Sequence, residues 1–436
     1  MSQTSQVEST GFATDRYELT MVQAALGSGV ANRRASFEVF TRRLPQGRRF
    51  GVVAGTDRVL DAVERFRFSD HDVAALQHLD ATPMELSPSM IEWLLDYRFN
   101  GDIHGYEEGE LFGPFSPILT VTGTFAEAVV LETVILSILN HDCAIAAAAA
   151  SITQAAGGAR LIEMGSRRTD PDAAVAAARA SVIGGFSATS NLEAGRRYGL
   201  ATAGTAAHSF TLAHESEAAA FHAQILSQGT ATTLLVDTYD IAVGIQTAVA
   251  IANEHGAAGP GAIRIDSGDL GLEAKRARVL LDELGATETL IVLSGDLDGR
   301  SIASLVAQHA PVDAFGVGTS VVTGDGHPTA GLSYKLVEIS DHDGVAHAVA
   351  KRSAGKASLG GTKRAFRVDG ADIVHPDTDA TAIVPSGRPL QVGYIVDGVI
   401  VRRSTVQAAT GRLAVSLEEL GNRTLRSQVI AKVPHD

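Results

Sequence analysis

A chain of 436 residues, 45% hydrophobic and 20% charged, has the balance of a soluble globular protein and the length of two or three domains. Its formal charge of -14 argues against nucleic acid as a partner, so any anionic ligand has to be held by a local cluster of arginine and lysine. The single cysteine, Cys143, excludes an internal disulfide and a cysteine-based zinc site, and fits a reducing compartment.

The first residues, MSQTSQVESTGFATDRYELT, are polar and lack the apolar stretch of a secretory signal, which points to a cytoplasmic protein. Next, ASFEVFTRRLP alternates like a strand, VLDAVERF has helical spacing, and EEGELFGPFSPILTVTGTF reads as a small antiparallel sheet. The longest apolar stretch, FAEAVVLETVILSILNHDCAIAAAAA, is interrupted by Glu127, Glu132, His141 and Asp142. It reads as a buried helix, and no membrane association is expected.

From about residue 159 to 320 one unit recurs: a short apolar run, a polar or glycine-rich cluster, then a helical stretch. The runs are ARLIEMGSRR, ASVIGGFSATSN, LATAGTAAHSF, TTLLVDTYD, GAIRIDSGD, TLIVLSGDLD and VDAFGVGTS. Such alternation implies parallel β/α units in an α/β fold, either a barrel or a large open sheet. Beyond about residue 335, YKLVEI, GTKRAFRV, PLQVGYIVDGVIVRR and LAVSLEEL mix strands, turns and a final helix. The flanks therefore predict α+β structure beside the barrel. The expected divisions are 1–150, 151–340 and 341–436, with the last segment packing on the first. GVAHAVAKRSAGKASLGGTKR, 344–364, is the most loop-like stretch.

The polar clusters fall at the carboxyl ends of the strands, the edge at which barrels and open sheets bind ligands. His208, in GTAAHSF, is thereby one of a ring with Arg167, Asn191, Asp237, Arg264, Asp266, Asp296 and the glycines near 316. In RIDSGDL, Arg264 and Asp266 share a strand face. The arginine offers a planar fork to phosphate or carboxylate, and the aspartate accepts from sugar hydroxyls; a buried ion pair is the alternative. Asp237, in LLVDTYD, is placed to orient the His208 imidazole or to cap the following helix. Of the adjacent Arg167 and Arg168, one is expected to serve a ligand and the other a surface contact. FGVGTS brings glycines whose backbone N–H groups suit a phosphate, or forms a plain turn. Arginines, aspartates, a histidine and a glycine turn at one mouth suit a phosphorylated sugar.

Ten motifs, DRYELTM, FEVFTRRLP, GSRR, GGFSATSN, GTAAHSF, LLVDTYD, RIDSGDL, LSGDLD, FGVGTS and YKLVEI, occur in this order from residue 15 to about 365. In that order they resemble the nicotinate phosphoribosyltransferases, of the type II phosphoribosyltransferase family. The resemblance implies an irregular barrel of about seven parallel strands beside an α+β domain built from the chain's two ends. It also implies a homodimer with shared active sites. The implied reaction makes nicotinate mononucleotide and pyrophosphate from nicotinate and phosphoribosyl pyrophosphate, in NAD salvage. ATP is a co-substrate hydrolysed through a transient phosphohistidine, a ligase-class activity, and Mg2+ accompanies phosphoribosyl pyrophosphate and ATP.

By the same resemblance, His208 is the phosphorylated histidine and Asp237 its partner. Arg167 and Arg264 grip phosphates or nicotinate, Asp266 and Asp296 meet the ribose hydroxyls, and Gly316, Gly318 and Thr319 hold the 5′-phosphate. Phe186 and Tyr17 sandwich the pyridine ring, Tyr17 coming from the other subunit. Asn191 stands where nicotinamide-using relatives carry aspartate, so it is expected to select nicotinate; capping of the helix LEAGRR is the alternative. Two features depart from the family. With Cys143 alone the zinc knuckle of some relatives is excluded, and a PGKK-like stretch reads GGTK at 360–363. Competing readings are a nicotinamide phosphoribosyltransferase, a catalytically silent barrel that binds phosphoribosyl ligands, and an unrelated phosphate-binding barrel. The intact His208, Asp237, Arg264 and Asp266 argue against the silent form.

Overall fold

The computed structural model describes residues 9–79, 83–351, 359–377 and 387–429. Residues 1–8 of the polar N-terminus and 352–358 of the loop-like stretch lie outside the described residues. Two compact units divide the chain: 145–328, and 1–144 together with 329–436.

The unit 145–328 holds a six-stranded parallel sheet. Its spatial order is Ala188–Thr189, Arg160–Glu163, Ala314–Val317, Leu290–Leu293, Ala262–Ile265, Thr233–Leu235. The two end strands do not pair with each other among the described residues, so the sheet is an open half-barrel. Seven strands were expected. The missing one is the run LATAGTAAHSF, which makes only an isolated parallel bridge, Thr202 to Thr189, and ends in the short helix His208–Leu212. Its alanines and glycine give a pleated ladder little to pack, unlike the Leu, Ile and Val of its neighbours.

Most helices of this unit begin at a side-chain cap, the short His208–Leu212 and Thr319–Val322 being exceptions. Asp170 accepts from the backbone ahead of Pro171–Ile183, Ser216 ahead of Glu217–Gln228, and Asp240 ahead of Ile241–Glu254. Asp269 and Asp298 do the same for Leu270–Glu283 and Gly299–Ala307. Each cap satisfies N–H groups that have no partner within the helix, worth about 1 kcal/mol. Caps therefore fix where the strands stop and the helices start, and so which residues are left at the sheet's edge.

In the other unit a seven-stranded antiparallel sheet places Arg34–Thr41 between Leu332–Ser340 and the central strand Leu119–Thr124. Both ends of the chain thus build one core, including Phe37, Val39, Val121, Tyr334 and Tyr394. A buried ionic cluster sits in this unit. Arg367 lies 2.7 Å from Asp372 and 3.3 Å from Glu110, and Arg388 lies 2.7 Å from both Glu110 and Glu419. Lys363, in the GGTK stretch, pairs with buried Glu38 at 2.6 Å. The helical stretch Phe125–Ala155 is long and apolar enough to cross a membrane, but 61% of its most apolar window is buried inside the protein. Packing against the protein's own core accounts for that apolar character.

Candidate active site

A cavity of about 480 Å³ opens at the carboxyl ends of the parallel strands. Three strand ends there carry two aspartates each: Asp237 and Asp240, Asp266 and Asp269, Asp296 and Asp298. In each pair the second residue caps the following helix. The first is left to the sheet's edge, where Asp266 and Asp296 line the cavity and Asp237 lies directly behind it. The alternative assignment of Asp237 as a helix cap is thus taken by Asp240.

His208 projects from the first turn of its short helix with its side chain 41% exposed, and its Nε2 lies 3.0 Å from Oδ1 of fully buried Asp237. The other carboxylate oxygen of Asp237 accepts from the Asp266 backbone N–H at 2.9 Å and from the Ser267 hydroxyl at 2.6 Å. A carboxylate so held cannot swing, so it fixes the orientation of the imidazole. Among the described residues Nδ1 of His208 has no hydrogen-bond partner. The ring therefore offers one nitrogen to the protein and the other to the cavity.

Arg264 is tied on three sides: Nε donates to Ser294 Oγ at 2.7 Å, Nη1 to Thr205 Oγ1 at 2.9 Å, and Nη2 to Asp266 Oδ1 at 2.8 Å. Burial raises the Asp266 carboxyl, but hydrogen bonds from Ser294 and Arg264 and the arginine's charge outweigh it and leave it below its ordinary value. Asp266 is thus an anion at neutral pH. Thr205 makes the loop before His208 a partner of Arg264, so dyad and arginine are held together.

Arg167 and Arg168, on the turn Ser166–Arg168, both line the cavity, and neither forms an ion pair among the described residues. Both are exposed, and the residues of a tight 3₁₀ turn sit close enough for both to face the mouth. Gly318 and Thr319 line the floor at the end of Ala314–Val317. Gly316 also lines it, and a Cβ there would meet Met164 Sδ at 2.8 Å.

Three expected site residues are not among those lining the cavity in this chain. Phe186 is 2% exposed and is not a cavity-lining residue. Asn191 caps Leu192–Tyr198: its Oδ1 accepts from Ala194 N at 2.8 Å, and its Nδ2 donates to Ser166 Oγ at 3.0 Å, a residue that does line the cavity. Tyr17 belongs to the other unit, on the helix Arg16–Ser28, and is 47% exposed. Thr205 in GTAAHSF and Ser294 in LSGDLD, whose hydroxyls accept from Arg264, carry no local sequence signal of that role. Two buried carboxylates are equally unmarked in the sequence. Glu163 ends the strand Arg160–Glu163, and burial raises its carboxyl against hydrogen bonds from Thr189 and Gly165. Glu217 opens the helix Glu217–Gln228, where burial and the nearby Asp237 and Asp240 push it up to about 7.

Free arginines, anchored carboxylates and an oriented imidazole around one cavity define a phosphate-handling α/β enzyme. The nicotinate phosphoribosyltransferase (NAPRTase) N-terminal domain matches residues 12–140, and the NAPRTase family matches residues 159–369. The chain is 53% identical over 426 residues to the nicotinate phosphoribosyltransferase pncB1 of Mycobacterium tuberculosis, covering 94% of this chain and 91% of that one. With the nicotinate phosphoribosyltransferase of Bacillus subtilis it shares 36% over 381 residues, covering 86% and 76%. The crystal structure of the human nicotinic acid phosphoribosyltransferase shares the fold, with a TM-score of 0.79 at 24% identity over 96% and 97% of the two chains. This chain belongs to the nicotinate phosphoribosyltransferase family.

Proposed function

We propose that this chain is a nicotinate phosphoribosyltransferase of NAD salvage, and that it couples mononucleotide synthesis to ATP through phosphorylation of His208. The pyridine nitrogen of nicotinate attacks the anomeric carbon of phosphoribosyl pyrophosphate, the bond from that carbon to the pyrophosphate oxygen breaks, and pyrophosphate leaves. Positive charge builds on the ribose ring as that bond opens, and Asp266 and Asp296 supply negative charge at the cavity wall. Arg167 and Arg168 bring the free cations for the phosphates, with Gly316, Gly318 and Thr319 as the site of the 5′-phosphate. Tied as it is, Arg264 meets the ligand in a fixed orientation.

The observation that carries the ATP reading is the His208–Asp237 pair. With the ring proton on Nε2, shared with Asp237, the Nδ1 lone pair is free for the γ-phosphorus of ATP; the bond to the ADP oxygen breaks and ADP departs. Water later returns the imidazole and releases phosphate. Mg2+ would neutralise the pyrophosphate charge. It takes oxygen ligands and needs only one or two carboxylates beside substrate phosphates. The cavity offers two, Asp266 and Asp296, and among the described residues no three-residue metal cluster competes.

We further propose a homodimer in which Tyr17 of one subunit covers the nicotinate ring bound by the other. Mixed dimers of inactive Tyr17→Ala and His208→Ala chains should then regain activity, and no recovery after verified exchange counts against sharing. The test of the main reading is an assay of nicotinate and phosphoribosyl pyrophosphate with and without ATP. His208→Ala should lose ATP hydrolysis and the acid-labile label from γ-labelled ATP, while slow ATP-independent synthesis persists. Label retained in His208→Ala sinks the phosphohistidine.

A further inference from the structure

Glu163 is wholly buried at the end of its strand and is not among the residues that line the cavity, yet each of its oxygens has a job. One accepts from the Gly165 backbone N–H, at the start of the turn that carries Arg167 and Arg168. The other meets the hydroxyl of Thr189, itself fully buried, at 2.5 Å. That hydroxyl in turn accepts from the Asn191 N–H at 3.0 Å, and the Asn191 side chain closes a ring by donating to Ser166 Oγ at 3.0 Å.

The backbone of Thr189 extends the connection. Its N–H donates to Ala201 O at 3.0 Å, and its carbonyl accepts from Ala203 N at 2.9 Å. These bonds hang the segment before Gly204–His208 on the same residue. The arginine turn and Asn191 therefore meet at one buried carboxylate–hydroxyl contact, and the segment before the His208 loop hangs on the backbone of the same Thr189. Fully shielded from water, neither partner of this contact can be left unpaired without a large cost.

We propose that Glu163 and Thr189 form a clasp that positions the phosphate-gripping turn, Asn191 and the His208 loop as one unit. They are positioning residues: neither touches substrate, and they act through the groups that do. The clasp rests on the reading of the cavity as a phosphoribosyl pyrophosphate site, and its effect is expected mainly in substrate binding. Phosphate grip and the choice between nicotinate and nicotinamide are set together, so loosening the clasp degrades both.

Thr189→Val removes the hydroxyl at nearly constant shape, Thr189→Ser keeps it, and Glu163→Gln changes the other partner. Thr189→Val should raise the KM for phosphoribosyl pyrophosphate and the Kd for magnesium pyrophosphate, read by calorimetry, by about tenfold or more, because small misplacements of binding groups cost that much. The kcat should change far less, the nicotinate-over-nicotinamide ratio should fall, and Thr189→Ser should restore all three. In Thr189→Val with Asn191→Ala, the two effects on KM should be clearly less than additive. The clasp is wrong if folded Thr189→Val binds pyrophosphate like the parent, if kcat alone falls, or if the double variant is additive. If Thr189→Val does not fold, Glu163→Gln is read by the same criteria. Pyrophosphate titration needs no turnover, so a chain inactive with nicotinate would overturn the proposed function and leave the clasp to be judged on binding.

Discussion

Charge is handled in opposite ways in the two compact units. Around Arg367 the ions complete one another: Asp372 and Glu110 hold Arg367, and Glu110 and Glu419 hold Arg388. The side chains of Arg367, Asp372 and Glu110 are at most 2% exposed. At the carboxyl ends of the parallel sheet, Arg167, Arg168 and Asp296 face a cavity and have no ion-pair partner among the described residues. Charge that is buried and paired belongs to the scaffold. Charge that is exposed in a concavity and unmatched is held ready for something that comes from outside.

The sharpest way to break this comparison is one arginine from each side. Arg367→Ala leaves Asp372 without its cation in the core and should lower the unfolding free energy by about 3–5 kcal/mol. Its denaturation midpoint measures the loss. Arg167→Ala should leave that midpoint within about 0.5 kcal/mol while cutting kcat/KM for phosphoribosyl pyrophosphate about a hundredfold or more. The contrast fails if the two variants lose stability alike.

Asn191→Asp is expected to have a somewhat smaller effect, and only on activity. Aspartate caps a helix as well as asparagine does, so the melting temperature should hold. If Asn191 selects nicotinate, a like charge there in place of an N–H donor should cost about 2–4 kcal/mol, roughly a hundredfold in turnover. Kinetics equal to the parent's would reduce Asn191 to a cap.

Glu217 is the intermediate case, a mostly buried carboxylate that forms no ion pair among the described residues. Its folded value is raised from 4.5 to about 7, so the folded chain keeps a proton that the unfolded chain has already released. Stability must then fall as pH rises from 4.5 to about 7, and stay lowered above that. Glu217→Gln removes the loss, and paired melts should find the variant more stable than the parent at about pH 8 and equal to it at about pH 4.5. A difference that is the same at both pH values would refute the assignment. The change in melting temperature should be the smallest of those expected here.

The site was legible wherever chain order alone brings groups together. Successive strand ends of a β/α series lie along one edge, so His208, Asp237, Arg264, Asp266 and Asp296 could be gathered before any coordinates. What escaped was decided by packing. Phe186, given a place beside the pyridine ring by resemblance alone, follows the Gly184–Gly185 turn to a position that is 2% exposed. Spacing does not encode that direction. The run at 200–207 looked like a strand because it is apolar and short, yet its small side chains sustain one bridge rather than a ladder. Glu163 carries no sequence signal of its role, since only the fold brings Thr189 to it.

The doubled aspartates have a consequence for how such a protein changes over generations. Had one carboxylate both started a helix and faced the ligand, each trial of new chemistry would have put the helix at risk. Here Asp240, Asp269 and Asp298 secure the helices, which leaves positions 237, 266 and 296 open to variation at little cost to those three starts. A lineage built this way can explore neighbouring substrates by drift at strand ends, where a failed trial loses an activity and spares the helices that carry it.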